Sequence, residues 1–192
     1  DMTEFIVALG YRAEVIQNWI DISRDIPKSW NILGLNTGLD TQTGGRIAQC
    51  MNVVPDETVI ATYGDGLANV SVKKLLSFHK SHQKLATLTS VRPPARFGHL
   101  QSENGLVTHF GEKNQADEGW INGGFFVFEP KIFDYLEPNS ILEREPMANL
   151  AKDGQLVAFR HEGFFQPMDT YREMSMLNEM WDESKAPWKV WK

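Results

Sequence analysis

At 192 residues, 42% hydrophobic and 23% charged, the chain has the length of one ordinary globular domain, enough to bury roughly two thirds of the surface its unfolded form would expose. A net charge of −6 speaks against a nucleic-acid backbone as the main partner, because that needs a clustered excess of Lys and Arg, so any phosphate recognition must be local. No apolar run approaches the roughly 20 residues a bilayer span requires, which excludes a membrane as partner, and the one cysteine, Cys50, has no internal disulfide mate; with no apolar leader at the start, this fits a reducing cytoplasm.

Taken in chain order, Phe5 to Leu9 reads as a strand, Gly10 and Tyr11 as a turn, and Val15, Ile16, Trp19 and Ile20 as the apolar stripe of a helix. A chain that enters a buried-looking strand almost at once suggests that N-terminal residues are missing. Asn31 to Leu35 is a short strand, Thr37 to Gly45 a loop, and Arg46 to Val53 a helix that carries Cys50 as a packed thiol rather than a nucleophile. A β-branched strand from Thr58 leads to Asp65, followed by a helix through Val72, Leu75, Leu76 and Phe78. Leu85 to Val91 is a strand stopped by Pro93 and Pro94, and Phe97 to Phe110 alternates as a hairpin turning at Glu103, Asn104 and Gly105. Ile121 to Glu129 is an aromatic strand containing glycines, Pro130 to Tyr135 a short helix, Glu145 to Lys152 a helix and Gln155 to Arg160 a strand. Phe164 to Asp169 then leads into a long helix over Thr170 to Lys185. The alternation predicts an α/β fold with a mainly parallel sheet and one or two antiparallel additions. With no repeat or linker, residues 1–192 read as a single domain whose residues 170–192 form a C-terminal helix and tail.

Four constellations could carry chemistry. In T-Y-G-D-G the strand ends on Asp65 between two glycines, at the carboxyl edge where open α/β sheets collect ligands; alone, the same residues make an ordinary Asp-Gly turn. Asp169, in Q-P-M-D-T, reads either as the cap of the following helix or, with Asp65, as one of the one or two carboxylates that Mg²⁺ takes beside water and phosphate oxygens. Glu112 and Lys113 read as a solvated surface pair, or as a sugar-hydroxyl acceptor and a point charge for a phosphate. In T-Q-T-G-G-R, Gly44 and Gly45 open a helix with exposed N–H groups and Arg46 can fork two bonds to a phosphate, although many such turns only turn. His79 and His82, three apart on a helix, are the only histidines with ligand-like spacing and read as solvent-facing.

Together T-Y-G-D-G, T-G-G-R-I, I-N-G-G-F-F-V-F, F-F-Q-P-M-D-T and the closing K-A-P-W-K-V-W resemble, in that order and from about Phe5 to Trp191, the glucose-1-phosphate cytidylyltransferases of the sugar nucleotidyltransferase superfamily. The resemblance implies a Rossmann-like three-layer fold of the nucleotide-diphospho-sugar transferase type, truncated at the N-terminus, and nucleotidyl transfer between CTP and glucose 1-phosphate with Mg²⁺. It further implies a cytoplasmic homo-oligomer. Asp65 and Asp169 match the family's metal-binding aspartates, Lys113 the lysine on the sugar phosphate, Glu112 an acceptor for glucose hydroxyls, and Arg46 with Gly45 a loop near the nucleotide. Thr62 and Gly64 flank the first aspartate on the substrate side, Asn122 and Gly123 match the strand at the sugar pocket, and Gly98 matches a glycine close to the hexose.

Three departures stand beside the match. The family's opening strand with its G-G-x-G-T-R-L loop and K-P-K-P-M segment is absent, the stretch from Ile20 to Trp30 is short, and Asn114 follows Lys113 where the family more usually has Pro. The same chemistry with UTP or dTTP, and a non-catalytic chain that keeps a sugar-phosphate pocket, therefore stand as alternatives.

Overall fold

The computed structural model describes residues 2–93, 98–103, 105–112 and 119–191. Pro94, Phe97 and Asn104, which the sequence assigns to a strand stop and a hairpin, lie outside them. The chain forms two compact units, Asp1–Val59 with Phe128–Leu156, and Ile60–Val127 with Val157–Lys192.

In the first unit, β1 (Glu4–Leu9) pairs in parallel with β2 (Asn31–Asn36), Phe5 opposite Ile32 and Leu9 opposite Asn36. Parallel neighbours need a crossover, and α1 (Ala13–Ile22) supplies it. Beyond β2 the chain turns back, and both the N–H and the Oγ1 of Thr37 donate to Leu9 O, at 2.9 and 2.8 Å. Next comes α2 (Thr43–Met51), which begins three residues before the predicted Arg46. The glycines sit inside its first turn because the Pro138–Ser140 backbone closes on them. A methyl on Gly44 would lie 2.7 Å from Ser140 O, and one on Gly45 would run into the Pro138 carbonyl. A 3₁₀ helix (Pro130–Tyr135) and α4 (Glu145–Lys152) complete this unit around buried Leu9, Met51, Ile132, Leu142 and Leu150.

The second unit is built on a sheet in the order β3 (Val59–Thr62), β8 (Ile121–Phe128), β5 (Ala86–Val91), β9 (Leu156–Arg160). The two inner strands read as near-continuous burial, with Thr87, Thr89, Phe126 and Val127 at 1% exposure or less. Helix α3 (Val72–His82) starts at Ser71, whose hydroxyl accepts from Lys74 N at 3.3 Å. It buries Leu75 in a cluster with Val70 and Val127, flanked by Ile60, Phe125 and Phe159. Burying a side chain of this size contributes roughly 1.5–3 kcal/mol.

Two short antiparallel ladders complete the unit. One pairs β4 (Gly66–Ala68) with β10 (Phe165–Pro167), and the other pairs β6 (Gly98–Glu103) with β7 (Leu106–Glu112). The last helix, α5 (Tyr171–Asp182), buries Leu177. The architecture is α/β with mixed strand directions, as the alternation of elements predicts. Among the described residues no helix is long and apolar enough to cross a membrane.

Candidate active site

Asp65 lies in the turn between β3 and β4, with its side chain exposed. The β4–β10 register sets Gly66 opposite Pro167, so the residues just beyond that pair, Asp65 and Met168, face each other. The Met168 N–H donates to Asp65 O at 2.8 Å. Asp169 is the next residue and is also exposed. A pairing between segments about a hundred residues apart thus carries both aspartates to one end of one ladder.

The helix-cap reading of Asp169 is corrected by the structure. Thr170 is the cap, its Oγ1 accepting from Glu173 N at 3.2 Å while Glu173 Oε2 accepts from Thr170 N at 2.9 Å. Among the described residues no three His, Cys, Asp or Glu side chains group as a metal cage. A pair of exposed aspartates fits Mg²⁺, which keeps several waters and phosphate oxygens in its shell; Zn²⁺ asks for a closed set of N and S ligands.

Beside the Asp65 turn runs the start of β8. Tyr63 N donates to Gly124 O at 3.3 Å, and Gly124, at φ 75°, leaves room for the Tyr63 ring that any Cβ would strike. Gly123 is equally constrained: a Cβ there would lie 2.6 Å from Val91 Cγ1 and 3.1 Å from Thr89 O. Asn122 turns its Oδ1 onto Gly124 N at 2.9 Å. Thr62 is exposed, and a methyl on Gly64 would meet open space. One unit therefore gathers Thr62, Gly64, Asp65, Asn122, Gly123 and Asp169. In the β6–β7 ladder Gly98 is the direct partner of Glu112, which joins two further sugar-side candidates by register. Lys113 and Asn114 lie outside the described residues.

The first unit treats the T-G-G-R segment differently from expectation. The Gly44 and Gly45 amides do not stand open: both donate to Ser140 O, at 2.9 and 3.3 Å. Arg46 directs Nη1 to Leu9 O at 3.1 Å and to Thr37 Oγ1 at 2.5 Å, and Nη2 to Leu39 O at 3.2 Å. Its fork gathers the end of β1 and the loop after β2. Cys50 reads as expected, since burial pushes its thiol pKa up against the opposing pull of Arg46.

Two features escaped the sequence reading. The Thr170…Glu173 spacing is a capping-box signature and could have been found. The other is Trp120, two residues before Asn122, with the guanidinium carbons of Arg92 and Arg160 at 4.9 and 5.4 Å from its ring centre. No local pattern announces it, because its three members come from the ends of three different strands.

The family model described as nucleotidyl transferase matches residues 6–155, most of the chain. The chain belongs to the nucleotidyl transferase family. Within that family it is 42% identical to the probable glucose-1-phosphate cytidylyltransferase of Bacillus subtilis, over 99% of this chain and 82% of that protein. It is 39% identical to the glucose-1-phosphate cytidylyltransferase of Salmonella typhi, over 98% of this chain and 81% of that protein. The Bacillus alignment spans 210 positions, so that relative has residues for which this chain has no counterpart. Among solved structures, a UDP-glucose pyrophosphorylase complexed with UDP-glucose superimposes with a TM-score of 0.70 at 13% identity, covering 95% of this chain and 81% of that one. HddC from Yersinia pseudotuberculosis gives 0.69 at 20%, covering 94% and 79%. At such identities these neighbours show the fold alone, and it is the nucleotidyl transferase fold that the motifs imply.

Proposed function

We propose that the chain joins CTP and glucose 1-phosphate to give CDP-glucose and pyrophosphate. The observation that carries the reading is the meeting of Asp65 and Asp169 at one ladder end in a chain 39–42% identical to glucose-1-phosphate cytidylyltransferases. An oxygen of the sugar phosphate attacks the α-phosphorus of CTP in line. One phosphorus–oxygen bond forms, the bond to the β-phosphate breaks, and pyrophosphate carries the displaced electron pair away. Such a transfer needs no covalent enzyme intermediate, so the protein contributes position and charge.

Asp65 and Asp169 would hold Mg²⁺, which supplies neutralisation of the phosphate charge when bound. Lys113 draws in the sugar phosphate, Glu112 and Asn122 take hexose hydroxyls, and the bare backbones of Gly98, Gly123 and Gly64 let substrate come close. Thr62 lines the same edge. Arg46 would help hold the nucleotide, and its bonds to Leu9, Thr37 and Leu39, with that of Gly45 to Ser140, support a loop kept in a fixed shape for that role. The reading puts the enzyme in the cytoplasm, where CTP is made, as a homo-oligomer.

Pyrophosphate release with glucose 1-phosphate and each of CTP, UTP and dTTP tests this. CTP is expected to give the highest kcat/KM. Asp65→Asn and Asp169→Asn are each expected to lower it about a hundredfold, in line with loss of a metal contact. Release with no nucleotide would leave a non-catalytic binding chain, and a preference for UTP or dTTP would move the base specificity.

A further inference from the structure

We propose that Glu173 is a positioning residue for Asp169, and through it for the metal site; the inference rests on the reading above that Asp169 is a metal ligand. In an ordinary capping box the third helical residue returns its carboxylate to the cap amide alone. Here Glu173 Oε2 accepts from Thr170 N at 2.9 Å, from Thr170 Oγ1 at 3.0 Å, and also from Asp169 N at 3.0 Å. The third bond lies outside the helix, one residue before its cap. Its effect falls on the aspartate. Met168 N donates to Asp65 O at 2.8 Å, so successive amides are divided between two partners: residue 168 is tied to the first aspartate, residue 169 to Glu173.

The peptide that carries Asp169 is thus held at both ends, and the chain of contacts Asp65–Met168–Asp169–Glu173 fixes one carboxylate's backbone against the other's. Glu173 is half-buried, and the bonds it accepts lie at the protein surface. Groups that orient a metal ligand in this manner set metal affinity without touching the metal.

Mn²⁺ binding, followed by the loss of the free-ion resonance signal, separates this role from generic helix capping. Glu173→Ala is expected to weaken Mn²⁺ binding about tenfold. Thr170→Ala removes the cap but leaves the Glu173 bond to the Asp169 amide, and is expected to weaken it less than about twofold, with a similar loss of thermal stability. Glu173→Gln keeps an acceptor oxygen and is expected to stay near the wild type. Equal shifts for Glu173→Ala and Thr170→Ala would reduce the residue to a cap, and a Gln variant as weak as the Ala variant would make the charge the cause; either overturns the proposal. A wild type that takes up no Mn²⁺ overturns it together with the metal reading. Mn²⁺ bound in this pattern without pyrophosphate release leaves the positioning role standing while the proposed reaction fails.

Discussion

Glycines in this chain do two different jobs, and single residues separate them. Gly45 is packed against backbone: its Cβ position is taken by the Pro138 carbonyl, which cannot swing aside as a side chain could. Gly45→Ala is therefore expected to destabilise the protein by about 1–3 kcal/mol, seen as a lower urea midpoint with ligand absent. Gly64 meets open space beside Asp65. Gly64→Ala is expected to leave the urea midpoint within about 0.5 kcal/mol of wild type and to raise KM for glucose 1-phosphate, because only the approaching substrate meets the new methyl. Equal losses of stability in the two variants would refute the distinction. From sequence both glycines read alike, as turn formers in glycine-rich motifs. What sorts them is a partner in space, which the local pattern does not contain.

At the scale of elements, the carboxyl end of α3 holds a titration that structure and physical chemistry tie together. The Lys84 N–H donates to His82 Nδ1 at 3.0 Å, which makes that nitrogen an acceptor and leaves Nε2 to meet Thr87 Oγ1 at 2.8 Å. Of the histidine pair read from sequence as solvent-facing, His79 is instead buried, 1% exposed, with its Nδ1 at 2.8 Å from the same Thr87 hydroxyl, and His82 is half-buried. Burial, then His79 and Lys84, lower the His82 pKa from 6.5. Neutral His82 belongs to the fold, so the folded chain binds fewer protons than the unfolded one. Its contribution is complete above the ordinary histidine pKa and is lost as pH falls through the lowered value. Urea midpoints at about pH 7.5 and about pH 5 are expected to differ more for wild type than for His82→Ala. An unchanged difference would remove His82 from the acid sensitivity of the fold.

The elements themselves were mostly legible. Helix α4 runs over the predicted residues, and β1, β2, β5, β8 and β9 begin and end within a residue or two of the readings, because apolar period and Pro or Gly punctuation set them locally. The start of α2 was not legible, since it depends on the Ser140 carbonyl receiving two amides. Nor was the cap of α5 assigned to the right residue, although Thr170 and Glu173 carried the signal. For the candidate site, the residues and their pairing were legible, and the contact that brings them together was not. Asp65 and Asp169 could be named from their motifs, whereas the bond from Met168 to Asp65 comes from a non-local ladder that only the folded chain makes.

For the molecule as a whole, the two compact units make ligand-linked stability the decisive observable. Asp65 and Asp169 both belong to the unit formed by Ile60–Val127 and Val157–Lys192. A ligand held through them stabilises that unit directly, and does so by mass action rather than by any change of contacts within the core. At a concentration a hundred times its Kd, CDP-glucose with Mg²⁺ is expected to stabilise by about 2.7 kcal/mol, and for a chain of this size that is roughly 5–11 °C in the melting midpoint. The wild type is expected to show that rise only when nucleotide sugar and Mg²⁺ are present together. Asp65→Asn combined with Asp169→Asn is expected to show the rise from CDP-glucose reduced to the same small value with and without Mg²⁺. Differential scanning calorimetry reads both, and resolves whether one transition moves or two. A double variant that keeps the full Mg²⁺-dependent rise would mean that the metal and its nucleotide are held elsewhere, and would remove the two aspartates from the site.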